Sequence, residues 1–423
     1  MKTKSGTVSS RHQDVSGLRH LPLVDLLVDT KTELLELALR SGLKVFTALL
    51  EEDRKVICGP RYAHEPDRPA SRAGTVRSEV VLGGRKVAIR RPRARTAKGE
   101  VPLPTFQAMA KTDPLDRRVV EQMLVGVATR QYARSLEPLP ADTQSRGTSK
   151  SSVSRRFVAK TAAQLAAWQS TPLDTLALVG LLLDGVHIGD HCLIVALGIA
   201  ADGQKHALGL WEGSTENATL CQSLLANLQS RGLRTDRSLL VILDGSKALR
   251  KAVQATFGQA ALVQRCQLHK LRNVMDHLPE RQRPWVQAIM RRAYRSDVPT
   301  ARRLLQDLAR RLDDEHPSAA ESVREGLDET LTVVGLDLSE RLQRSLTTTN
   351  AAESLISRTR HVKRNVKRWR GGKMMLRWVA AGVLEAVKGF RRLKGHRDMP
   401  TLVAKLRARD QHLGLTTAAE KVA

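Results

Sequence analysis

Two apolar runs in this chain each end in an aspartate followed by glycine. The first, "TLALVGLLLDGVHIG", covers residues 175–189 and carries Asp184; the second, "RSLLVILDGSKALRKAV", carries Asp244. Short continuous runs of Leu, Val and Ile read as strands buried on both faces, as in a sheet with helices on either side. A carboxylate at the end of such a run is either a turn former before glycine or a group held there for its charge. Two of them in one pattern call for one explanation.

The surrounding sequence places both runs in a sheet. Strands are expected at 176–183, 191–199 and 205–210, joined by the turns "HIGD" and "AADG", a three-stranded antiparallel meander. "STENATLCQSLLANLQSRGL" follows as a helix stopped by Gly232. Then come the strand "SLLVILD", the short helix "GSKALRKAVQATF" and a last strand, "AALVQRC". This β-β-β-α-β-α-β order predicts an α/β fold, a ribonuclease-H-like mixed five-stranded sheet with helices on its faces. Strand–helix alternation alone also allows a Rossmann-type sheet, but the first turn, "DGVHIGDH", lacks GxGxxG and leads into another strand. Residues 270 to 344 carry helical periodicity throughout, which predicts an all-helical domain inserted before the sheet's final helix. That helix begins in "TTTNAAESLISRTRHVKRN", where Asn350 or a preceding Thr can cap it and Glu353 falls in its first turns.

Upstream, residues 21–50 repeat apolar positions at helical spacing, one or two helices. "TVRSEVVLGGRKVAIRRPRAR" is a basic hairpin about a Gly-Gly turn, and "KGEVPLPTFQAM" offers an edge strand. "DRRVVEQMLVGVATRQYARSLEPL" and "SKSSVSRRFVAKTAAQLAAWQ" read as two helical segments, the second with Ser149 or Ser151 as N-cap. Their spacing resembles a helix-turn-helix, with plain helical packing as the alternative. The expected division is an N-terminal helical region (1–55), a small basic β region (56–110), a helix-turn-helix-like DNA-binding region (111–170), the first part of the catalytic core (171–269), the helical insertion (270–345), the closing helix with a basic helical segment (346–400), and a tail (401–423).

Charge narrows the partner. Seventy Lys and Arg face 43 Asp and Glu, a net charge of +27, which implies a polyanion, most simply nucleic acid. A membrane is the rival, but no apolar run reaches the ~18 residues a spanning helix needs. The N-terminus "MKTKSGTVSSRHQDVSG" is followed by no apolar signal region. A cytoplasmic, nucleoid-associated protein is expected. The cysteines, Cys58, Cys192, Cys221 and Cys266, form no CxxC pair, so structural disulfides are not expected.

In a sheet of this order the strands ending in Asp184 and Asp244 are neighbours. Adjacent carboxylates repel, and persist where a cation neutralises them. All-oxygen ligands suit Mg²⁺ or Mn²⁺ rather than zinc, and two such ions about 4 Å apart serve phosphodiester chemistry. Glu353 is the candidate third acid. Cys266 and His269 have no second ligand pair for zinc, and His277 is a poor substitute. His269 either contacts the scissile phosphate or orders the site, or is a satisfied core histidine beside a buried thiol. His187 and His191 read as turn residues. Residues 354–397 hold fourteen Lys or Arg against the single acid Glu385, interleaved with Trp369, Met374, Met375, Leu376, Trp378, Val379 and Val383 at helical spacing. Such a run is either a solvated helix face or a phosphate-binding track, and its self-repulsion favours the track. Arg358, Arg360, Lys363, Arg364, Lys367 and Arg368, just past Glu353, and Arg90, Arg91 and Arg93 of the hairpin are the DNA-binding candidates.

These residues together resemble the Mutator-type bacterial insertion-sequence transposases, of the DDE recombinase class. The family's first acid matches Asp184 in "LLLDGVHI", and its G-x-x-E-G-x-x-E element matches Gly209, Glu212, Gly213 and Glu216 in "GLWEGSTENA". Its DG-x-K-x-L element matches Asp244, Gly245, Lys247 and Leu249. Its Q-x-C-x-x-H-x-x-R-N signature appears as "QRCQLHKLRN", with Gln264, Cys266, His269, Arg272 and Asn273. Its last acid matches Glu353 in "TTTNAAES", beside Thr349, Asn350 and Ser354. The likeness spans at least residues 173–385, and more loosely the hairpin upstream. A proline the family often places before the signature strand is absent from "TFGQAAL", and the N-terminal region is less typical. The resemblance implies a metal-dependent DNA transposase with two Mg²⁺ or Mn²⁺ ions. It would act on double-stranded DNA at terminal inverted repeats and on target DNA, as a homodimer on DNA. The alternatives are a DNA-binding regulator on a degenerate catalytic sheet, another ribonuclease-H-like nuclease, and a protein that merely coats nucleic acid.

Overall fold

The computed structural model describes residues 22–63, 68–82, 84–111, 114–137, 139, 143–188, 191–213, 218–363, 366 and 369–415. The chain divides into two compact units, one of residues 1–119 and 129–153, the other of residues 120–128 and 154–423.

The first unit opens on one long helix, α1 (Pro22–Cys58), the single-helix form of the one or two expected. Strands β1 (Ser71–Leu82) and β2 (Arg85–Thr96) form the expected hairpin, and β3 (Gly99–Val101) adds the edge strand. The turn requires Gly84, which sits at φ +77° where a Cβ would press on Arg118 and Tyr132. The Tyr132 hydroxyl donates to the Gly84 carbonyl at 3.0 Å. Phe46 and Leu50 of α1 pack on Val80 and Leu103. Helix α2 (Pro104–Lys111) follows, where the edge-strand pattern ran on; Asp53 accepts from the Thr105 amide at 2.8 Å and holds that helix start. Helix α3 (Pro114–Leu124) is shorter than the segment read from sequence. It ends because Gly126 takes φ +103°, and only a 3₁₀ turn at Tyr132–Ser135 follows. The short strand β4 (Ser145–Arg146) pairs with β2, and α4 (Lys150–Ser170), which belongs to the second unit from residue 154 on, begins as expected at Ser149, whose hydroxyl accepts from the Ser152 amide.

The second unit is built on the five strands β5 (Leu178–Ile188), β6 (His191–Ala200), β7 (Lys205–Gly213), β8 (Leu239–Leu243) and β9 (Ala261–Arg265). Helix α5 (Ala218–Ser230) lies between β7 and β8, and α6 (Lys247–Phe257) between β8 and β9. The sheet order is β7-β6-β5-β8-β9, antiparallel among the first three and parallel from β5 outward. This is the ribonuclease-H-like arrangement. Alternation along the strands splits the core in two. Leu181, Leu183, Val241 and Leu243 face α5 and α6, while Leu182, Leu240 and Ile242 face the other side.

Between β9 and the closing helices lies the helical insertion: α7 (Gln267–Asp276), α8 (Arg283–Ala293), α9 (Val298–Leu312), α10 (Pro317–Arg324), α11 (Leu327–Leu331) and α12 (Glu340–Leu346). Helices α7 to α11 share a core of their own around Val274, Met290, Leu305 and Leu308. The chain then returns to the sheet as α13 (Asn350–Lys363), α14 (Gly372–Val387) and α15 (Met399–Leu413). Leu355 and Ile356 of α13, Met375, Val379 and Val383 of α14, and Leu402 and Leu406 of α15 cover the face that carries Leu182. The apolar positions of the basic segment are thus a packed helix face, and residues 401–413 belong to this core.

One expectation is corrected. Asp184 does not end its strand; β5 continues to Ile188, with Asp184 paired to Val195 of β6. Only the β8 side stops short, at Leu183 opposite Leu243, because the chain turns there into α6.

Leu182 is fully buried between the sheet and α13–α14. Leu182→Ala is expected to cost about 2–5 kcal/mol of unfolding free energy, read by denaturant titration.

Candidate active site

The β5–β8 register pairs Leu183 with Leu243, so Asp184 and Asp244 are the next residues on adjacent chains. By strand alternation both belong with Leu182 and Ile242, on the face covered by α13. Helix α13 packs Leu355 and Ile356 against that face, and so carries Glu353 to it.

Asp184 is 2% exposed, and its Oδ1 has no hydrogen-bond partner. Burial, then the Asp244 carboxylate, push its pKa up from 3.8 to about 7; Glu353 adds to the rise, while His269 and a Thr349 hydrogen bond oppose it. Asp244 spends one oxygen on the turn: its Oδ1 accepts from the Ser246 amide at 2.9 Å. Ser246 in turn caps α6, its hydroxyl accepting from the Leu249 amide. The turn-former reading of Asp244 is thus met by one carboxylate oxygen.

Glu353 is held by two nitrogen groups. Its Oε1 lies 3.3 Å from His269 Nε2 and 3.2 Å from an Arg272 guanidinium nitrogen. His269 Nδ1 is 3.3 Å from the Thr349 hydroxyl. Cys266 makes the hub beneath them. Its sulfur accepts from the His269 amide at 3.5 Å, where it caps α7, and from the Thr349 amide at 3.4 Å. A hydrogen bond to Cys266 is the largest influence on the imidazole, which is raised to about 9 against its own desolvation, with Asp184 and Glu353 adding to the rise. Burial pushes the thiol up, but hydrogen bonds from His269 and Thr349 outweigh it and leave it below the ordinary value. His269 is thus satisfied at both ring nitrogens, by Thr349 and Glu353.

Thr349 is fully buried and starts α13, its carbonyl accepting from the Glu353 amide at 3.0 Å. The preceding Thr, rather than Asn350, occupies the cap. Asn350 and Asn273 are exposed. His191, read as a turn residue, lies 2.6 Å from Glu212 across β6 and β7.

Asp184, Asp244 and Glu353 present only oxygens, and the unpartnered Asp184 Oδ1 is the kind of buried atom a divalent cation satisfies, so the donor set fits magnesium or manganese. No group of three His, Cys, Asp or Glu among the described residues forms a ready-made metal cluster. Glu353 meets His269 and Arg272 instead.

Of the DNA-binding candidates, Arg91 and Arg93 both pair with Glu100, at 2.8 and 2.9 Å. Arg90 is exposed on the opposite face of β2, directly across from Arg77 of β1. The side chains of Arg358, Arg360 and Lys363, and all of Arg364, Lys367 and Arg368, lie outside the described residues, as does Glu216. No helix among the described residues is long and apolar enough to cross a membrane.

Such a sheet, with its helical insertion between the second acidic turn and the closing helix, defines a ribonuclease-H-like core of the kind DNA recombinases use. The chain belongs to the Mutator family of transposases, whose family model matches residues 24–392. It is 30% identical over 207 residues to a probable transposase for an insertion sequence element of Corynebacterium diphtheriae, covering 47% of this chain and 59% of that one. It is 26% identical over 308 residues to the transposase for insertion sequence element ISRM3 of Rhizobium meliloti, covering 70% and 74%. Identity to the transposase for insertion sequence element IS1081 of Mycobacterium tuberculosis is 30% over 315 residues, covering 71% and 72%.

A carboxyl whose folded pKa is raised stabilises the fold most below its unfolded pKa, and that contribution is lost as pH rises through the folded value. For Asp184 the window runs from 3.8 to about 7. Metal-free Asp184→Asn is therefore expected to melt higher than the parent at about pH 8 and to lose part of the decline in Tm across that window. Thermal unfolding as a function of pH, with chelator present, checks this.

Proposed function

We propose that this protein is the transposase of an insertion sequence, acting by metal-dependent phosphodiester hydrolysis and strand transfer at the element's ends. The observation that carries the reading is the buried Asp184 carboxyl, unpartnered at Oδ1 and under the combined charge of Asp244, His269 and Glu353. An acid so placed costs stability unless a cation or a proton neutralises it.

Asp184 and Asp244 would hold magnesium or manganese, with Glu353 joining from α13. When bound, the metal supplies Lewis acidity for attack and departure at a phosphodiester. His269 and Arg272 hold Glu353 by its Oε1. Once Glu353 turns to the other acids, these two groups are released to meet a phosphate oxygen. Water hydrolyses a phosphodiester at the element end, and the freed 3′-hydroxyl attacks a target phosphodiester. Each exchange replaces one P–O bond by another, so no covalent protein intermediate is required.

Double-stranded DNA at terminal inverted repeats, and target DNA, are the proposed partners, with the protein acting as a dimer on them near the nucleoid. The charge of the 358–368 segment supports backbone binding beside Glu353. In the first unit, like charges directly opposite one another destabilise a strand pair, and Arg77 against Arg90 is such a pair. A phosphate relieves it. Lys86 opposite Arg146 on the β4 side is not a second such pair, because Arg146 donates to Glu79 at 2.7 Å. Arg91 and Arg93, neutralised by Glu100, have a smaller part.

Asp184→Asn, Asp244→Asn and Glu353→Gln are each expected to lower strand cleavage by at least about a hundredfold, beyond what loss of a group merely supporting a metal ligand costs, with DNA binding retained. A cleavage-competent Asp184→Asn protein would overturn the assignment. Neutralising Lys363, Arg364, Lys367 and Arg368 together should weaken binding and flatten its salt dependence, since each phosphate the protein no longer neutralises takes about one counterion out of the slope.

A further inference from the structure

The signature strand β9 and the start of α7 do more than supply Cys266 and His269. Their intervening residues reach the other way, into the insertion. The Gln264 amide nitrogen donates to the Thr330 carbonyl at 3.0 Å, and its oxygen accepts from the Val333 amide at 2.8 Å. Gln267 also donates to the Thr330 carbonyl, at 2.9 Å. Arg265, 6% exposed, lies between two turns. Its guanidinium donates to the Gly245 carbonyl at 3.2 Å on one side; on the other it meets the Glu325 carbonyl at 3.1 Å and the Glu325 carboxylate at 3.0 Å.

Both turns are glycine because the guanidinium fills the space a Cβ would take. A Cβ on Gly245, at φ +110°, would fall 2.7 Å from Arg265 Nε, and one on Gly326, at φ +62°, 2.7 Å from a terminal nitrogen of the same group. Lys270, 1% exposed, adds a second cation: its ammonium donates to the Ser322 and Glu325 carbonyls at 2.5 and 2.7 Å. Glu325 receives Arg265 at 3.0 Å and Lys270 at 3.6 Å, with the α6 residue Lys247 at 3.9 Å, and Arg250 pairs with Glu329 beside it. Burial lowers the Lys270 pKa to about 8, with Arg265 adding to the fall and the Glu325 carboxylate opposing it. The turn that follows Asp244 is thereby bolted to one turn of the insertion through a single planar side chain.

We propose that Arg265, with Glu325 as its counter-charge, is a positioning residue that sets the Asp244 turn from the insertion, so that the insertion's docking governs the carboxylate's readiness for metal. It rests on the assignment of Asp244 as a metal-holding acid. A planar fork with three acceptors fixes orientation in a way an ammonium cannot. The Ser246 amide bond to Asp244 Oδ1 and the cap on α6 follow directly on Gly245, so loosening that carbonyl frees them next.

The test uses the full chain, with Arg265→Lys, which keeps charge and loses the fork, and Glu325→Gln, a milder change that decides the matter if the first does not fold. In metal-free protein, hydrogen exchange is expected to quicken at the amides of 246–250 as well as in 322–333. In the active protein, the Mn²⁺ concentration for half-maximal cleavage should rise about tenfold, as when a group supporting a metal ligand is removed, with DNA affinity unchanged. Faster exchange confined to 322–333, or an unshifted Mn²⁺ requirement, overturns the proposal and identifies a purely structural bolt. Asp244→Asn run in parallel separates the two levels: retained cleavage there refutes the site assignment itself, whereas abolished cleavage with an unshifted Arg265→Lys refutes only the coupling.

Discussion

Everything at the site depends on holding a carboxyl inside an apolar sheet. Asp184 has β6 on one side, the α13–α14 layer above it and, on the other side, the place where β8 has just ended. Desolvation favours its neutral form, and the charges nearby partly undo that. The early end of β8 is what makes the place usable. Were β8 to continue, a backbone would close off the edge beside Asp184; instead the chain turns at Gly245 and leaves Asp244 at the opening.

The surrounding groups form two layers around this constraint. Thr349, Cys266 and His269 tie the start of α13 to the start of α7, and so fix where Glu353 stands. Arg265 and Lys270 tie the same stretch to the insertion. One short signature thus serves two tasks, Cys266 and His269 turning to the start of α13 and Gln264, Arg265, Gln267 and Lys270 to the insertion.

The sheet was legible because fully apolar strands leave little choice of face, and the five-strand order followed from where those runs and helical stretches fall. The insertion was legible from unbroken helical periodicity. The end of β5 was not: "DGVHI" carries Gly and His, which look like a turn, and only pairing with β6 keeps it extended. Likewise "VGVATRQYARS" has helical composition, yet Gly126 at φ +103° ends α3. At the site, the three acids and the Cys–His pair stood out by pattern. The neutralisation of Arg91 and Arg93 did not, because Glu100 reaches them only through the β2–β3 pairing. Nor did Arg265, whose partners Gly245 and Glu325 lie 20 and 60 positions away and meet only in the fold.

The insertion leaves the sheet after Arg265 and returns at Thr349, and the two ends are stitched together by the Cys266 sulfur. Once its ends are fixed to each other, the cost of closing a chain segment grows only with the logarithm of its length, about 0.6 kcal/mol for each doubling. The helical body between them also has its own core. Chain closure therefore sets no tight limit on the insertion's length; what must stay in place are the Glu325 turn and the Thr330 carbonyl that meet the signature strand.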